Sequence, residues 1–207
     1  MIESYRVLDA PIRHEIDKIS GSRFIADAAP VSSEEDALAF VARMRAEFHD
    51  ARHHCWAYRL GPGGEGWRSS DDGEPSGSAG SPILKQLKGH DVTELVVVVT
   101  RYFGGTKLGV GGLMRAYGGA AAAALERASI AQVIVTERVV VTHEYELSSP
   151  VQGVLARAGI VPIESEYGEE VRIVLEVPIT RADAVVRDIT EATAARARIE
   201  RGLSRPD

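Results

Sequence analysis

A single cysteine, Cys55, stands among 207 residues. One thiol closes no internal disulfide and by itself makes no multi-cysteine zinc site, which fits a reducing compartment. Aromatic residues are also few, at 6% of the chain. No window approaches the roughly 18 uncharged apolar residues that a membrane helix needs, so no membrane span is expected. The opening MIESYRVLDAPIRHEIDK carries acids and has no apolar run ending in a small-residue cleavage site. A secretory leader is therefore not expected, and a soluble protein of the cytoplasm is. An excess of positive charge is missing as well, since 24 Lys and Arg face 30 Asp and Glu for a net of −6. That balance argues against wholesale wrapping of nucleic acid, because affinity for phosphate backbones comes from clustered cations that release counterions.

What is present reads as a globular chain, 44% hydrophobic and 26% charged. Its length exceeds one typical domain and falls short of two large ones. A core domain over residues 1–130 and a smaller one over 137–207, joined near 128–137, is the natural division. Charge is spread unevenly. Residues 1–135 carry 15 basic and 17 acidic side chains, a net of −2, and residues 136–207 carry 9 and 13, a net of −4. Within the first part, residues 96–127 hold Arg101, Lys107, Arg115 and Arg127 against Glu126 alone, a local +3.

Punctuation and periodicity place the elements. Strand-compatible runs at Tyr5 to Leu8, His14 to Ile19 and Arg23 to Ala28 open the chain, the last two forming a hairpin across Ser20-Gly21-Ser22. Ser32 followed by Glu35 is a capping-box pattern ahead of Ala37, Leu38, Phe40, Val41, Met44 and Phe48, whose spacing marks one helical face. His54 to Leu60 alternates as a strand, turns at Gly61 to Gly64, and returns over Gly66 to Ser69. DDGEPSGSAGS at 71–81 holds no apolar side chain larger than alanine and forms a loop, with Ser81-Pro82 expected to cap a short helix. Leu95 to Thr100, LVVVVT, has the branched side chains of a strand covered on both faces and is the expected centre of the first sheet. A glycine-rich turn leads to a helix over Leu113 to Arg127.

The second part repeats a simpler plan. Val139 to Tyr145, Ile160 to Tyr167, Val171 to Val177 and Ala197 to Arg201 read as strands, with helices begun by Ser149-Pro150 and by Thr180 with Asp183. The order β-α-β-β-α-β is that of a ferredoxin-like sandwich. The fold class expected for the whole is α+β.

Three groups of residues could carry chemistry. In RYFGGTKLGVGGLMR, a strand feeds a glycine-rich turn that opens a helix. Gly104, Gly105, Gly109, Gly111 and Gly112 let backbone N–H groups approach an anion, and Arg101, Lys107 and Arg115 supply full charges for a phosphate. The spacing is neither that of a P-loop nor GxGxxG, and a corner shaped only for backbone geometry is the alternative. Asp71, Asp72 and Glu74 are carboxylates suited to a divalent metal or to acid–base work, or else to accepting backbone N–H bonds in an ordered loop. Among His53, His54 and Cys55, strand alternation separates His54 from its neighbours, and Cys55 before Trp56-Ala57-Tyr58 suits a core position, which leaves His53 as the polar contributor. Tyr102 and Phe103 are of a type that stacks on bases, although adjacent aromatics at a strand end more often pack as core and rim.

HHCWAY at 53–58, SDDGEPSGSAGSPIL at 70–84, VVVVTRYFGGTKLGVGGLMRAY at 96–117 and ESEYGEEVRIVLEVP at 164–178 together resemble the YigZ/IMPACT family, in its bacterial two-domain form. The family's usual HNCWAY, GEPSGTAG and FGGIKLG stand here with His54, Ser78 and Thr106. The resemblance implies a first domain with the fold of a ribosomal-protein second domain, shared with domain IV of elongation factor G and with small-molecule kinases of the GHMP class. It implies a second domain like elongation factor G domain V. Eukaryotic relatives regulate translation, so the resemblance implies contact with RNA, the ribosome or a protein of the translation machinery. It carries no catalytic residue set and no cofactor.

Two functions are consistent with these residues. One is a regulatory binding protein that uses Arg101, Lys107 and Arg115 to contact RNA or the translation machinery. The other is an enzyme on a phosphorylated small molecule or nucleotide, with the glycine-rich loop on phosphate and Asp71 or Asp72 on a metal or acting as base. Absent catalytic spacings favour the first.

Overall fold

Val96 to Val99 place branched side chains on both sides of one strand, which is satisfied only where both sides are covered. The computed structural model, which describes residues 2–203, covers them. The elements are β1 (Ser4–Leu8), β2 (Ile12–Glu15), β3 (Arg23–Pro30), α1 (Glu34–Glu47), β4 (His53–Leu60), β5 (Gly66–Ser70), α2 (Gly80–Gly89), β6 (Leu95–Tyr102), α3 (Gly109–Leu125) and β7 (Ile130–Ile134). They continue with β8 (Thr136–His143), α4 (Ser148–Ala158), β9 (Glu164–Tyr167), β10 (Val171–Pro178), α5 (Ile179–Ala192) and β11 (Arg198–Leu203). The chain divides into two units, Ser4–Val133 and Ile134–Asp207 with Met1–Glu3. Both mix helix and sheet, so the protein is α+β.

In the larger unit a five-stranded sheet runs β2-β3-β6-β4-β5, with β6 at its centre and every neighbour antiparallel. On one face α1 buries Ala37, Phe40, Val41 and Met44 against Trp56, Tyr58, Val96 and Val98. On the other, α2 and α3 bury Ile83, Leu87, Leu113, Tyr117 and Ala121 against Phe24, Ala57, Val97 and Val99. Each fully buried aliphatic or aromatic side chain contributes roughly 1.5–3 kcal/mol, so both helical layers contribute substantially to holding the sheet.

The smaller unit has the expected element order, with sheet order β11-β8-β10-β9 and antiparallel neighbours. Helices α4 and α5 lay Val151, Leu155, Val185 and Ile189 on Val139, Val141, Ile173 and Leu175.

Several boundaries move. The expected strand at 14–19 is β2, which is four residues long and starts two residues earlier, and Ile19 makes only an isolated bridge to Ser22. The cap of α1 is Ser33, whose side chain accepts the Asp36 N–H, one residue beyond the expected Ser32. Leu38, on the predicted apolar face of that helix, is exposed. In α2, α4 and α5, Ser81, Ser149 and Thr180 lie inside the helix, because Ala79, Leu147 and Pro178 hold the N-cap positions. The stretch 128–137 contains β7, which pairs with β1.

Candidate functional site

The acids of the loop at 71–79 are consumed by the fold. Asp71 Oδ1 accepts N–H bonds from Ala79 at 2.9 Å and Gly80 at 2.8 Å, and Oδ2 accepts one from Gly77 at 2.8 Å. This carboxylate thus caps α2 from a distance, in place of the expected Ser81, and its charge suits the positive end of the helix dipole. Burial works to raise the Asp71 carboxyl, but the three N–H donors outweigh it and hold it below the ordinary carboxylate value. Asp72 accepts from the Arg45 guanidinium and, at 2.7 Å, from the His54 N–H, while its carbonyl meets His53 Nδ1 at 2.9 Å. Cys55 Sγ donates to the Asp71 carbonyl at 3.0 Å.

Glu74 is the deepest of the three, with its side chain 4% exposed. Its Oε1 accepts from Arg101 Nη1 and from the Tyr117 hydroxyl, both at 2.7 Å. Burial pushes the Cys55 thiol and the Tyr117 hydroxyl far above their ordinary values, so neither is a ready nucleophile. Among the described residues no group of three or more His, Cys, Asp or Glu is placed to hold a metal ion.

Arg101, expected from the sequence to offer its charge to a phosphate, is buried, with 6% of its side chain exposed. Its guanidinium lies over the rings of Phe24 at 5.6 Å and Phe103 at 5.5 Å, and its Nε has no hydrogen-bond partner. Aromatic faces meet the part of the cation that Glu74 does not. The local +3 therefore does not reach the surface as one patch. Lys107 and Arg115 are exposed near the start of α3, and Arg127 lies past the far end of the helix, whose 17 residues at about 1.5 Å each span about 25 Å.

The glycine-rich segment is fixed at one end and open at the other. A Cβ on Gly104 would stand 1.9 Å from the Gly21 carbonyl carbon and 2.1 Å from Ser22 N, and the Gly104 N–H donates to Ser22 Oγ at 3.1 Å. Only glycine allows β6 to close this tightly on the β2–β3 hairpin. Gly105 continues the turn, and Gly109, with φ +69°, begins α3 four residues before the expected start, so Gly111 and Gly112 belong to its first turn. Leu108 holds the N-cap without a side-chain cap. A Cβ on Gly111 would stand 3.6 Å from Arg115 Nη1, which places that guanidinium beside the first turn.

Thus Lys107 and Arg115 frame a helix start made of glycine, the Arg101–Glu74 pair is joined to α3 through Tyr117, and Asp71, Asp72 and His53 order the loop at 71–79. Reading the sequence missed the exposure of Phe103, 53%, Val110, 51%, and Met114, 45%. It also missed Tyr117 and Arg45 as partners of the acidic loop. Helical spacing would have placed Val110 and Met114 on one face had α3 been begun at Gly109. No local signal pairs Tyr117 with Glu74.

Fold and site together define an α+β protein of two units whose larger unit presents a cationic, glycine-lined helix start on a buried ion-paired frame. Residues 20–125 match the Impact N-terminal domain, and residues 141–196 match DUF1949, a domain of unknown function. The chain is 44% identical over 160 residues to an IMPACT family member in the pol 5′ region of Thermus thermophilus, covering 77% of this chain and 86% of that one. It is 37% identical over 182 residues to IMPACT family member YigZ of Escherichia coli (strain K12), covering 87% and 89%. A crystal structure of a hypothetical protein superposes with a TM-score of 0.71 at 34% identity, over 96% of this chain and 97% of that one. The chain belongs to the IMPACT family.

Proposed function

We propose that the protein is a non-catalytic binding protein of the cytoplasmic translation apparatus, and that it contacts RNA through Lys107 and Arg115. The observation that carries this reading is the exposure of both cations about an uncapped, glycine-lined helix start. Unpaired N–H groups and nearby full charges are what a phosphate requires. The reading takes the larger unit as like a ribosomal-protein second domain and elongation factor G domain IV. It takes the smaller as ferredoxin-like and akin to domain V, which its sheet order β11-β8-β10-β9 supports. The competing enzyme needs a free carboxylate for a metal or a base, and Asp71, Asp72 and Glu74 are each engaged by backbone, arginine or tyrosine donors.

The test is fluorescence anisotropy of labelled RNA with the wild-type protein and a Lys107→Ala, Arg115→Ala variant at two salt concentrations. Arg101 is left intact, because its loss would disturb the core. Binding that weakens with salt, with a slope reduced by about 0.7 per contact removed, supports the reading. Equal binding by both proteins refutes it.

A further inference from the structure

We infer that Phe103 is a stacking platform and that the RNA class bound at this site is single-stranded, with one unpaired base on the Phe103 ring and flanking phosphates on Lys107 and Arg115. The inference rests on the RNA-contacting reading above and narrows its ligand. Phe103 is 53% exposed although it follows directly on the central strand, whereas Tyr102 beside it is committed to Asp50 through a 2.7 Å hydrogen bond and lies against Arg23. Of the two adjacent aromatics, Phe103 is the one left for a partner.

The ring is also held in place. Its face lies over the Arg101 guanidinium at 5.5 Å, and that guanidinium is locked by Glu74 at 2.7 Å and backed by Phe24. The buried ion pair thus fixes the platform in advance, which lowers the ordering cost on binding. Lys107 follows four residues later, and an extended chain of that length spans at most about 14 Å, so a phosphate near the stacked base falls within reach of its ammonium. From residue 96 to 125 the sequence contains no acid, so the chain neighbours of Phe103 add no negative charge of their own, and the acids that folding brings near, Asp50 and Glu74, are hydrogen-bonded to Tyr102 and Arg101.

A protein partner would anchor a side chain in a recess. One cleft of the larger unit, of about 330 Å³, opens elsewhere, on the α1 face among Arg13, Asp27, Phe40 and Met44. A base needs only a ring face. Within a duplex the bases stack on one another and present no free face, so an exposed ring beside cations selects unpaired nucleotides.

The experiment measures affinities of a labelled oligouridine, an oligoadenosine, an RNA duplex and a polyglutamate peptide for wild-type protein and for Phe103→Ala, Phe103→Leu and Phe103→Trp, each first shown to melt like wild type. The expected result is a loss of single-strand affinity on the order of tenfold in Phe103→Ala, retention in Phe103→Trp, and an unchanged salt slope. Duplex binding is expected to be weaker and indifferent to position 103. Single-strand affinity unchanged in Phe103→Ala, duplex binding as tight as single-strand binding, or polyglutamate bound with the same dependence on Phe103 overturns the inference. If Lys107→Ala with Arg115→Ala abolishes RNA binding while Phe103→Ala does not, the platform fails and the RNA-contacting function survives. If wild-type protein binds no RNA at either salt, both fail.

Discussion

Replacing Arg101 by methionine removes the cation from a pair whose side chains are 6% and 4% exposed, and leaves the Glu74 carboxylate with the Tyr117 hydroxyl as its remaining partner. Stranding one charge of a buried pair costs about 3–5 kcal/mol, a large share of the roughly 5–15 kcal/mol that holds a domain together. Removing both charges and the hydroxyl that serves them, as Arg101→Met with Glu74→Leu and Tyr117→Phe, avoids the stranded ion, and most of that loss should return. Urea denaturation read by tryptophan fluorescence is the assay. The chain's two tryptophans, Trp56 and Trp67, lie on β4 and β5, so the signal follows the larger unit and is not blurred by a separate transition of the smaller one. With an m-value of about 2 kcal/mol per molar, a loss of 4 kcal/mol lowers the midpoint by about 2 M. A loss under about 1 kcal/mol in Arg101→Met would place the pair among solvent-screened surface bridges and refute the buried frame. So would a triple variant no more stable than the single one.

Two glycines should respond in opposite directions. Gly104→Ala forces a Cβ to within 1.9 Å of backbone and is expected to cost more than about 3 kcal/mol, whereas Gly119→Ala, where a Cβ meets nothing within 4 Å in α3, should stabilise by about 0.5–1 kcal/mol. Melting temperatures of both variants check this, and a neutral Gly104→Ala contradicts the close approach. Burial lowers the His54 imidazole below its ordinary value. The unfolded chain then binds the extra proton, so stability should fall as pH drops below about 6.5, and His54→Asn should flatten that part of the stability–pH curve relative to wild type. Parallel curves for the two proteins would show that His54 does not titrate differently on folding. Cys55, fully buried with its thiol pushed far up, should react with a thiol reagent only at denaturant concentrations where the fluorescence changes. Prompt labelling of the native protein would count against its placement.

Much of the fold was legible because it depends on local pattern. LVVVVT announced the central strand, since a run of branched residues fits a pleated surface covered twice. The α1 face at Ala37, Phe40, Val41 and Met44 followed from helical spacing. Caps were less legible. Both Ser32 and Ser33 precede α1, and which one caps depends on the hydroxyl that reaches a free N–H. Asp71, eight residues before Ala79, took over the cap expected of Ser81 because the loop folds back on the helix start. The start of α3 was misplaced because glycines carry no helix signal of their own.

From the residues alone came the class, the order of elements, the likeness carried by the loop and the glycine-rich turn, and the residue types that gather near α3. Those follow from neighbours along the chain, where periodicity and turn chemistry act. Tertiary structure alone decided which charges face water. Arg101 and Lys107 look alike in sequence, yet Glu74, 27 residues from Arg101, draws the guanidinium inside with Tyr117 while Lys107 remains outside. The fate of a charge is set by what folding brings within a few ångströms of it, and that distance is not written in sequence separation.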